Sequence, residues 1–457
     1  MLLRIPPEII DEIIGWIDHP GTLRSSCLVC HDWLPASRHR LLGIVYIPDA
    51  VTYDLFLTRV VRCEDMRACL ASIRTFVIGD GKNPDLRAPT IFHDLAGLLP
   101  SLDTLILDSL DWIKHPPHPR APLTLSRFAN VRELGLFSIT FPSFGYFRRM
   151  VTFLPSLARL TLSDFTWPHP HQTPFYDVAP EPQTTPLLKS ILVLSDVQSG
   201  DDRAACLNTL LVWLSRSPFR RSLRSASVPE GILGRKSGVL WNDIGPSLTA
   251  LEIHSTRPFC GEPVADLTGF PNLQCLSILM TYRWSTVLNV TRTVTSHLHD
   301  LLLLMRVPEH LLHPPDTGSW RKPDEVPASS PPLARLQGEL NRVFAEDTAM
   351  AQLDAVLDAA NFRQLQALRF YFNAGGSPKG DDERKAISHQ ILQLFSKHTP
   401  KLYARGILTV DFLFEANDKE IMRNYWRACS PVSQLREFGS KATCTDSPYM
   451  NRLDEMD

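Results

Sequence analysis

Four groups of residues carry types and spacings that could do chemistry. Cys27-Leu28-Val29-Cys30-His31 sets two thiols beside an imidazole, the string by which a c-type haem is held. Gly231-Ile-Leu-Gly234-Arg235-Lys236-Ser237 approaches a phosphate-binding loop, whose backbone N–H groups would cradle an anion. His115-Pro-Pro-His118 and His169-Pro-His171 bring imidazoles close enough together to begin a metal site. Each falls short of its chemistry. Haem attachment belongs to exported proteins, and here Pro6, Glu8 and Asp11 interrupt any apolar leader before it can form. The glycines of the would-be phosphate loop stand two residues too close, and Arg235 intrudes before Lys236, so a solvated turn is expected there. Two histidines leave a metal shell incomplete, and no second Cys or His pair stands at zinc spacing from Cys27 and Cys30. The basic run Arg220, Arg221, Arg224 is expected to be a solvated face. No catalytic residue, metal or cofactor is therefore expected, and the chain is read as a protein that binds and not as an enzyme.

Composition agrees with that reading. Of 457 residues, 44% are hydrophobic and 21% charged, the balance of a folded chain with a sizeable core. The 47 basic and 49 acidic side chains leave a formal charge of -2, so no global field draws the chain to nucleic acid or an anionic membrane. The run Leu301 to Met305 is far shorter than the roughly 18 apolar residues a membrane helix needs. Nine cysteines without framework spacing suit a reducing compartment, so a cytoplasmic or nuclear location is expected, where the acceptor string Asn289-Val-Thr291 has no chemical meaning.

The elements that must position any binding surface begin at Pro6-Pro7. Ile9, Ile10, Ile13, Ile14 and Ile17 recur at helical spacing with Glu8, Asp11, Glu12 and Asp18 on the other arc. His19-Pro20-Gly21 breaks that helix, and Leu23, Cys27, Cys30 and Leu34 predict a second, ended by Pro35. A short third element runs through Ser37, Arg38 and His39. Three such helices bury little surface by themselves and need something to lean on.

This opening resembles the F-box. The family pattern is Leu-Pro-x-Glu followed by two hydrophobic residues, then, about twenty residues on, hydrophobic-Val-Cys-basic-x-Trp. Here it reads Ile5-Pro6-Pro7-Glu8-Ile9-Ile10, then Leu23, then Leu28-Val29-Cys30-His31-Asp32-Trp33. Ile5 replaces the usual Leu, and His31 stands where Arg or Lys is commoner. The resemblance covers about a tenth of the chain. It implies docking onto a Skp-type adaptor, and through it a cullin, by Ile5, Pro6, Ile9, Ile10, Ile13, Ile14, Leu23, Leu28, Val29, Cys30 and Trp33. The alternative is that these residues form only a helical cap on the body of the chain.

That body is periodic. The spacing hydrophobic-x-x-hydrophobic-x-hydrophobic recurs from Leu42, Val45, Ile47 through Ile73, Leu102, Val131, Leu157, Leu188, Leu223, Leu248, Leu273 and Leu298 as first positions, and again at Leu365, Leu368, Phe370. Up to Leu298 the steps are 25 to 35 residues, close to the leucine-rich-repeat unit. Several strands are introduced by one phrase, as in Leu99-Pro100-Ser101-Leu102 and Phe270-Pro271-Asn272-Leu273, where proline ends the preceding element. Segments such as Ala204 to Ser215 keep helical spacing between strands. The expected fold is α/β: a three-helix F-box over residues 1–48, then an irregular leucine-rich-repeat solenoid over 49–305, a horseshoe of parallel strands with flanking helices. A Pro-rich insertion at 306–335, final repeats and a C-terminal cap at 336–442, and a tail at 443–457 complete it. The stretches Trp112 to Pro122 and Trp167 to Pro186 are expected to project from one rim.

Side chains alternate along a strand, so residues between the ladder positions are expected to face a protein substrate across the concave wall: Ile106, Phe137, Arg159, Glu252, His254, Leu302, Arg369 and Tyr371. The resemblance then implies a substrate receptor of a Skp-cullin-F-box ubiquitin ligase, with a leucine-rich-repeat scaffold outside ubiquitination as the alternative.

Overall fold

The structure is a computed structural model describing residues 5–17, 19–79, 90–118, 120–168, 186–194, 201–233, 235–254, 265–280, 284–306, 347–373 and 381–413. The chain divides into two compact units, residues 1–189 with 200–209 and residues 190–199 with 210–457.

The first unit opens with three helices. α1 (Pro7–Gly15) starts on two prolines, where the fixed φ is already helical and the missing N–H would have been unpaired anyway. α2 (Pro20–Cys27) starts likewise on Pro20, and His19 caps it, its Nδ1 accepting from the Thr22 N–H at 3.3 Å. Apolar spacing carries the second helix on to Leu34 and a stop at Pro35, but it ends at Cys27. Pro35 instead lies in the first turn of α3 (Leu34–Leu41), the one helical position a proline suits. Cys27 and Cys30 therefore do not share a helix.

Five parallel strands come next, β1 (Ile44–Ile47), β2 (Thr75–Ile78), β3 (Thr104–Asp108), β4 (Glu133–Phe137) and β5 (Arg159–Ser163), each paired with the next in sequence. The second unit repeats the plan with β6 (Ser190–Val193), β7 (Ser225–Pro229), β8 (Ala250–His254), β9 (Cys275–Met280), β10 (Asp300–Arg306), β11 (Ala367–Asn373) and β12 (Leu408–Leu413), again parallel and in order. Every periodic position read from the sequence produces a strand, and the register sets like on like. Val45, Phe76, Leu105, Leu134 and Leu160 are successive partners, as are Ile191, Ala226, Leu251, Leu276, Leu301 and Leu368. These residues are buried, which is what pins the register, since a one-residue slip would turn each ladder residue to the opposite face.

Two backbone devices recur. At the turn into several strands the first ladder residue donates its N–H three residues back, as Leu102 does to Leu99, Leu157 to Leu154 and Leu273 to Phe270. One carbonyl of the preceding repeat then accepts two successive N–H groups: Arg74 from Asp103 and Thr104, Asp103 from Arg132 and Glu133, Gln274 from His299 and Asp300.

Beyond β3, β4 and β5 the first unit carries a second regularity. Ser109, Ser138 and Asp164 adopt φ of 54°, 50° and 51°, a left-handed turn that sends the chain into a short parallel ladder at Asp111, Thr140 and Thr166. The turn delivers Trp112, Phe141 and Trp167 to the core. Trp112 meets Phe141 edge-on at 5.2 Å, and Phe147 lies 5.4 Å from Phe141 and 6.1 Å from Trp167. The stretch from Trp112, expected to project from a rim, does not do so at its start. The Trp112 indole is buried, because the left-handed turn folds the segment back, and Ala121–Leu125 is a short helix. Residues 169–185 lie outside the described residues, as do 307–346, most of the Pro-rich insertion, and the tail 443–457.

Candidate functional site

The three N-terminal helices form a small core of their own. Ile10, Ile14 and Leu23 are buried, with Ile17, Trp33, Ala36 and Leu41 packed against them, and α3 packs on both α1 and α2. The F-box resemblance assigns Ile10, Ile14 and Leu23 to the adaptor surface. They are closed off within this core instead, because positions 10, 14 and 17 share one side of a 3.6-residue helix.

The remaining residues of that assignment behave differently. Ile5, Pro6, Ile9, Ile13, Leu28, Val29 and Cys30 are exposed, Leu28 to 82%, and Trp33 is half-buried. α1 thus carries two apolar stripes one residue out of phase. Ile10, Ile14 and Ile17 point inward, and Ile9, Ile13 and Trp16, at intervals of four and three, form a second stripe facing solvent. Trp16 is absent from the residues that the sequence singles out, although its spacing from Ile9 and Ile13 is there to be read.

The wall expected to meet a substrate is largely closed. Ile106 and Phe137 are buried, as is Val77, the register partner of Ile106. An apolar outward face on a parallel sheet is stable when covered, and these positions are not available as a contact surface. Glu252 and His254 are buried too. Arg159 is half-exposed and engaged: its Nε and Nη2 both donate to Glu133 Oε2, at 3.1 and 2.9 Å, while Glu133 Oε1 is buried with no hydrogen-bond partner among the described residues. Burial pushes the Glu133 carboxyl up to about 7 despite Arg159, which pulls it down; Asp103 adds to the rise. Leu302 and Arg369 are register partners on β10 and β11, Leu302 half-buried and Arg369 open to solvent. Tyr371 lies two residues along β11, and its side chain is outside the described residues.

One constellation on the second unit has the residue types of a nucleophilic relay. Ser227 Oγ contacts His254 Nε2, and Glu252 Oε1 lies 3.3 Å from that same nitrogen. A relay needs the nucleophile on one ring nitrogen and the acid on the other, so that the imidazole passes a proton between them. Here both converge on Nε2, and burial depresses His254 to about 4. The cluster is a buried hydrogen-bonded group on strands β7 and β8.

The other chemical candidates resolve simply. Ile232 and Leu233, expected in a solvated turn, are buried, and the Ile232 carbonyl accepts from Trp241 Nε1 at 3.0 Å; apolar packing draws that turn inward. His118 Nδ1 accepts from the Arg120 N–H at 3.2 Å. His169 and His171 lie outside the described residues. Arg220, Arg221 and Arg224 are exposed, and Arg224 donates to the Ser247 carbonyl at 3.1 Å. Among the described residues no group of three or more His, Cys, Asp or Glu could hold a metal ion, and no helix is long and apolar enough to cross a membrane. No protein-family model matches the chain, and no curated protein matches it.

Proposed function

We propose that this chain is an F-box-type substrate receptor. Its N-terminal helices dock a Skp-type adaptor linked to a cullin, and its leucine-rich-repeat-like body holds a protein to be ubiquitinated. The observation that carries the reading is the second apolar stripe of α1. The helices have a finished core in Ile10, Ile14 and Leu23, yet Ile5, Ile9, Ile13, Leu28 and Val29 stay in water. Exposed apolar side chains gathered at one end of a folded chain mark a surface that another polypeptide covers. They fall at the very positions where the resemblance puts adaptor contacts.

The body supports the second half of the reading. Strand-plus-connection units of about 25 to 35 residues, in parallel register within each unit, are what leucine-rich repeats build. Such a receptor contributes no bond-making group of its own; it raises the effective concentration of its target at a conjugating enzyme brought by the cullin. Leu302 and Arg369, reachable and side by side, are the best remaining candidates for target contact.

The test is co-elution of the purified chain with purified Skp adaptor on size exclusion. The wild type is expected to form a 1:1 complex, and the double variant Ile9→Asp, Val29→Asp is expected to lose it while keeping its thermal transition. A wild type that never co-elutes defeats the reading.

A further inference from the structure

We propose that the edge of the first unit where the chain enters its strands is a docking row for an extended acidic protein segment, whose carboxylates fall at about every third residue. The inference goes beyond adaptor docking: it names the class of segment the body holds, and rests on the receptor reading only for that segment's being a ubiquitination target.

The row is set by the backbone. One residue ahead of the paired strand positions stand Gly43, Arg74, Asp103, Arg132 and Ala158, and Lys189 follows them. The Gly43 carbonyl accepts from the Arg74 N–H at 2.9 Å and the Arg74 carbonyl from Asp103 at 2.9 Å. Asp103 accepts from Arg132, Arg132 from Ala158 and Ala158 from Lys189, each at 2.8 Å. One run of hydrogen bonds thus passes through the stems of these side chains. The Asn130 amide ties two of the flanking turns together by donating to the Pro100 carbonyl at 2.6 Å. Little backbone freedom is left to lose on capture.

The charge of the row is positive. Arg74, Arg132 and Lys189 are exposed, and Arg74 and Lys189 form no ion pair among the described residues. Asp103 alone opposes them, 3.8 Å from Arg132 with both side chains open to water, where such a pair contributes little. Arg159, one residue further in, is held by Glu133 and is not counted. The turns leading into the row, residues 70–73, 99–102, 128–131 and 154–157, contain no carboxylate. In a chain with 47 basic and 49 acidic side chains this is a local excess, and an acidic partner complements it.

Spacing selects the form of the partner. Neighbouring strands lie about 4.8 Å apart, so cations on alternate strands recur at about 10 Å, which an extended chain rising about 3.3 Å per residue covers in three residues. A single nucleic-acid strand would want aromatic faces for its bases, and the one aromatic of those four turns, Phe128, is buried. Leu187, two residues before Lys189 and 67% exposed, gives that end of the row an apolar contact.

The experiment is fluorescence anisotropy of a labelled Ser/Ala peptide of about nine residues, with glutamate at every third position, titrated with the full chain at low salt. The double variant Arg74→Glu, Lys189→Glu is expected to raise Kd by about tenfold or more, which is about 1.4 kcal/mol. Arg220→Glu with Arg221→Glu, exposed on the second unit, should match the wild type, and all chains should melt together. A peptide with its glutamates adjacent should bind several-fold more weakly. The proposal is overturned by a wild type that does not bind the spaced peptide, by equal binding of the Arg74, Lys189 variant or of the clustered peptide, or by tighter binding of a single-stranded oligonucleotide of equal charge. None of these outcomes touches co-elution with the adaptor, so the two readings fail separately.

Discussion

Ile13 and Ile14 are neighbours in the chain with opposite surroundings: Ile14 is 1% exposed inside the core of the N-terminal helices, and Ile13, one residue earlier on α1, is 39% exposed. The 100° between successive helical residues separates a stripe that folds the helices from one that stays exposed. Ile14→Ala is expected to cost about 2 kcal/mol or more, by the lost burial and the cavity it leaves. Ile13→Ala should leave stability within about 0.5 kcal/mol. Chemical denaturation of the two variants measures the difference, and equal losses would contradict the two-stripe account.

Glu133 couples the first unit to pH. Its carboxyl is buried and raised to about 7 in the fold, against an ordinary value of 4.5. A raised acid binds its proton more tightly when folded, so its contribution to stability is fully present below about pH 4.5 and is lost as pH rises to about 7. Glu133→Gln removes that dependence. The melting temperature of the variant relative to wild type should therefore climb between pH 5 and 7, and a flat difference would refute the assignment.

His254 gives the opposite sign in the second unit. Burial lowers it to about 4 from 6.5, so its neutral form is favoured in the fold. The stability it lends is present above about pH 6.5 and is lost as pH falls to about 4. Against wild type, His254→Gln should gain thermal stability across that acid range, and a loss of relative stability there would show that the ring is held charged by Glu252.

Gly79 adopts φ of 94° just past β2, and a Cβ there would lie 1.8 Å from the Asp108 carbonyl oxygen. Both the backbone conformation and the contact exclude other residues. Gly79→Ala is expected to destabilise by well over about 1 kcal/mol. Ser138→Gly, at φ of 50°, should be neutral or stabilising by up to about 1 kcal/mol. Melting curves of the pair decide it.

Asp354, on the helix Asp347–Leu357, caps the helix Pro400–Ala404: its carboxylate oxygens accept from the Leu402 N–H at 2.9 Å and the Lys401 N–H at 3.3 Å. Asp354→Ala is expected to cost about 1 to 2 kcal/mol. Asp358→Ala, whose partner Lys401 is exposed, should cost less than Asp354→Ala, because solvent screens that pair. Denaturant unfolding of the two variants ranks them, and equal costs would contradict the capping role.

The strands were legible because their signal is local and repeated: Leu160 and Leu162 say little alone, but a spacing kept over many units is hard to mistake. Even the weak unit Leu223, Ala226, Val228 formed a strand, since stacking between neighbours, not its own apolar content, decides its fate. The wall was less legible. Alternation sets Ile106 and Phe137 between the ladder positions, but which faces are covered depends on packing between distant segments, and alternation carries no information about that. The burial of Trp112 has a related cause. The left-handed residue at Ser109 reverses the chain, and the phrases Leu-Asp-Ser-Leu-Asp-Trp, Leu-Phe-Ser-Ile-Thr-Phe and Leu-Ser-Asp-Phe-Thr-Trp reveal it only when aligned with one another. In the helices, periodicity finds the apolar arc of α1 but does not divide it into the part that is buried and the part that stays exposed.

The most direct test of the docking claim is side-chain footprinting of the chain with and without saturating Skp adaptor. Ile9, Ile13, Trp16, Leu28 and Val29 are expected to become protected while Ile10 and Ile14, already enclosed, stay unchanged and Arg369 remains reactive. Protection confined to the strands, or none at the N-terminal helices, would contradict it.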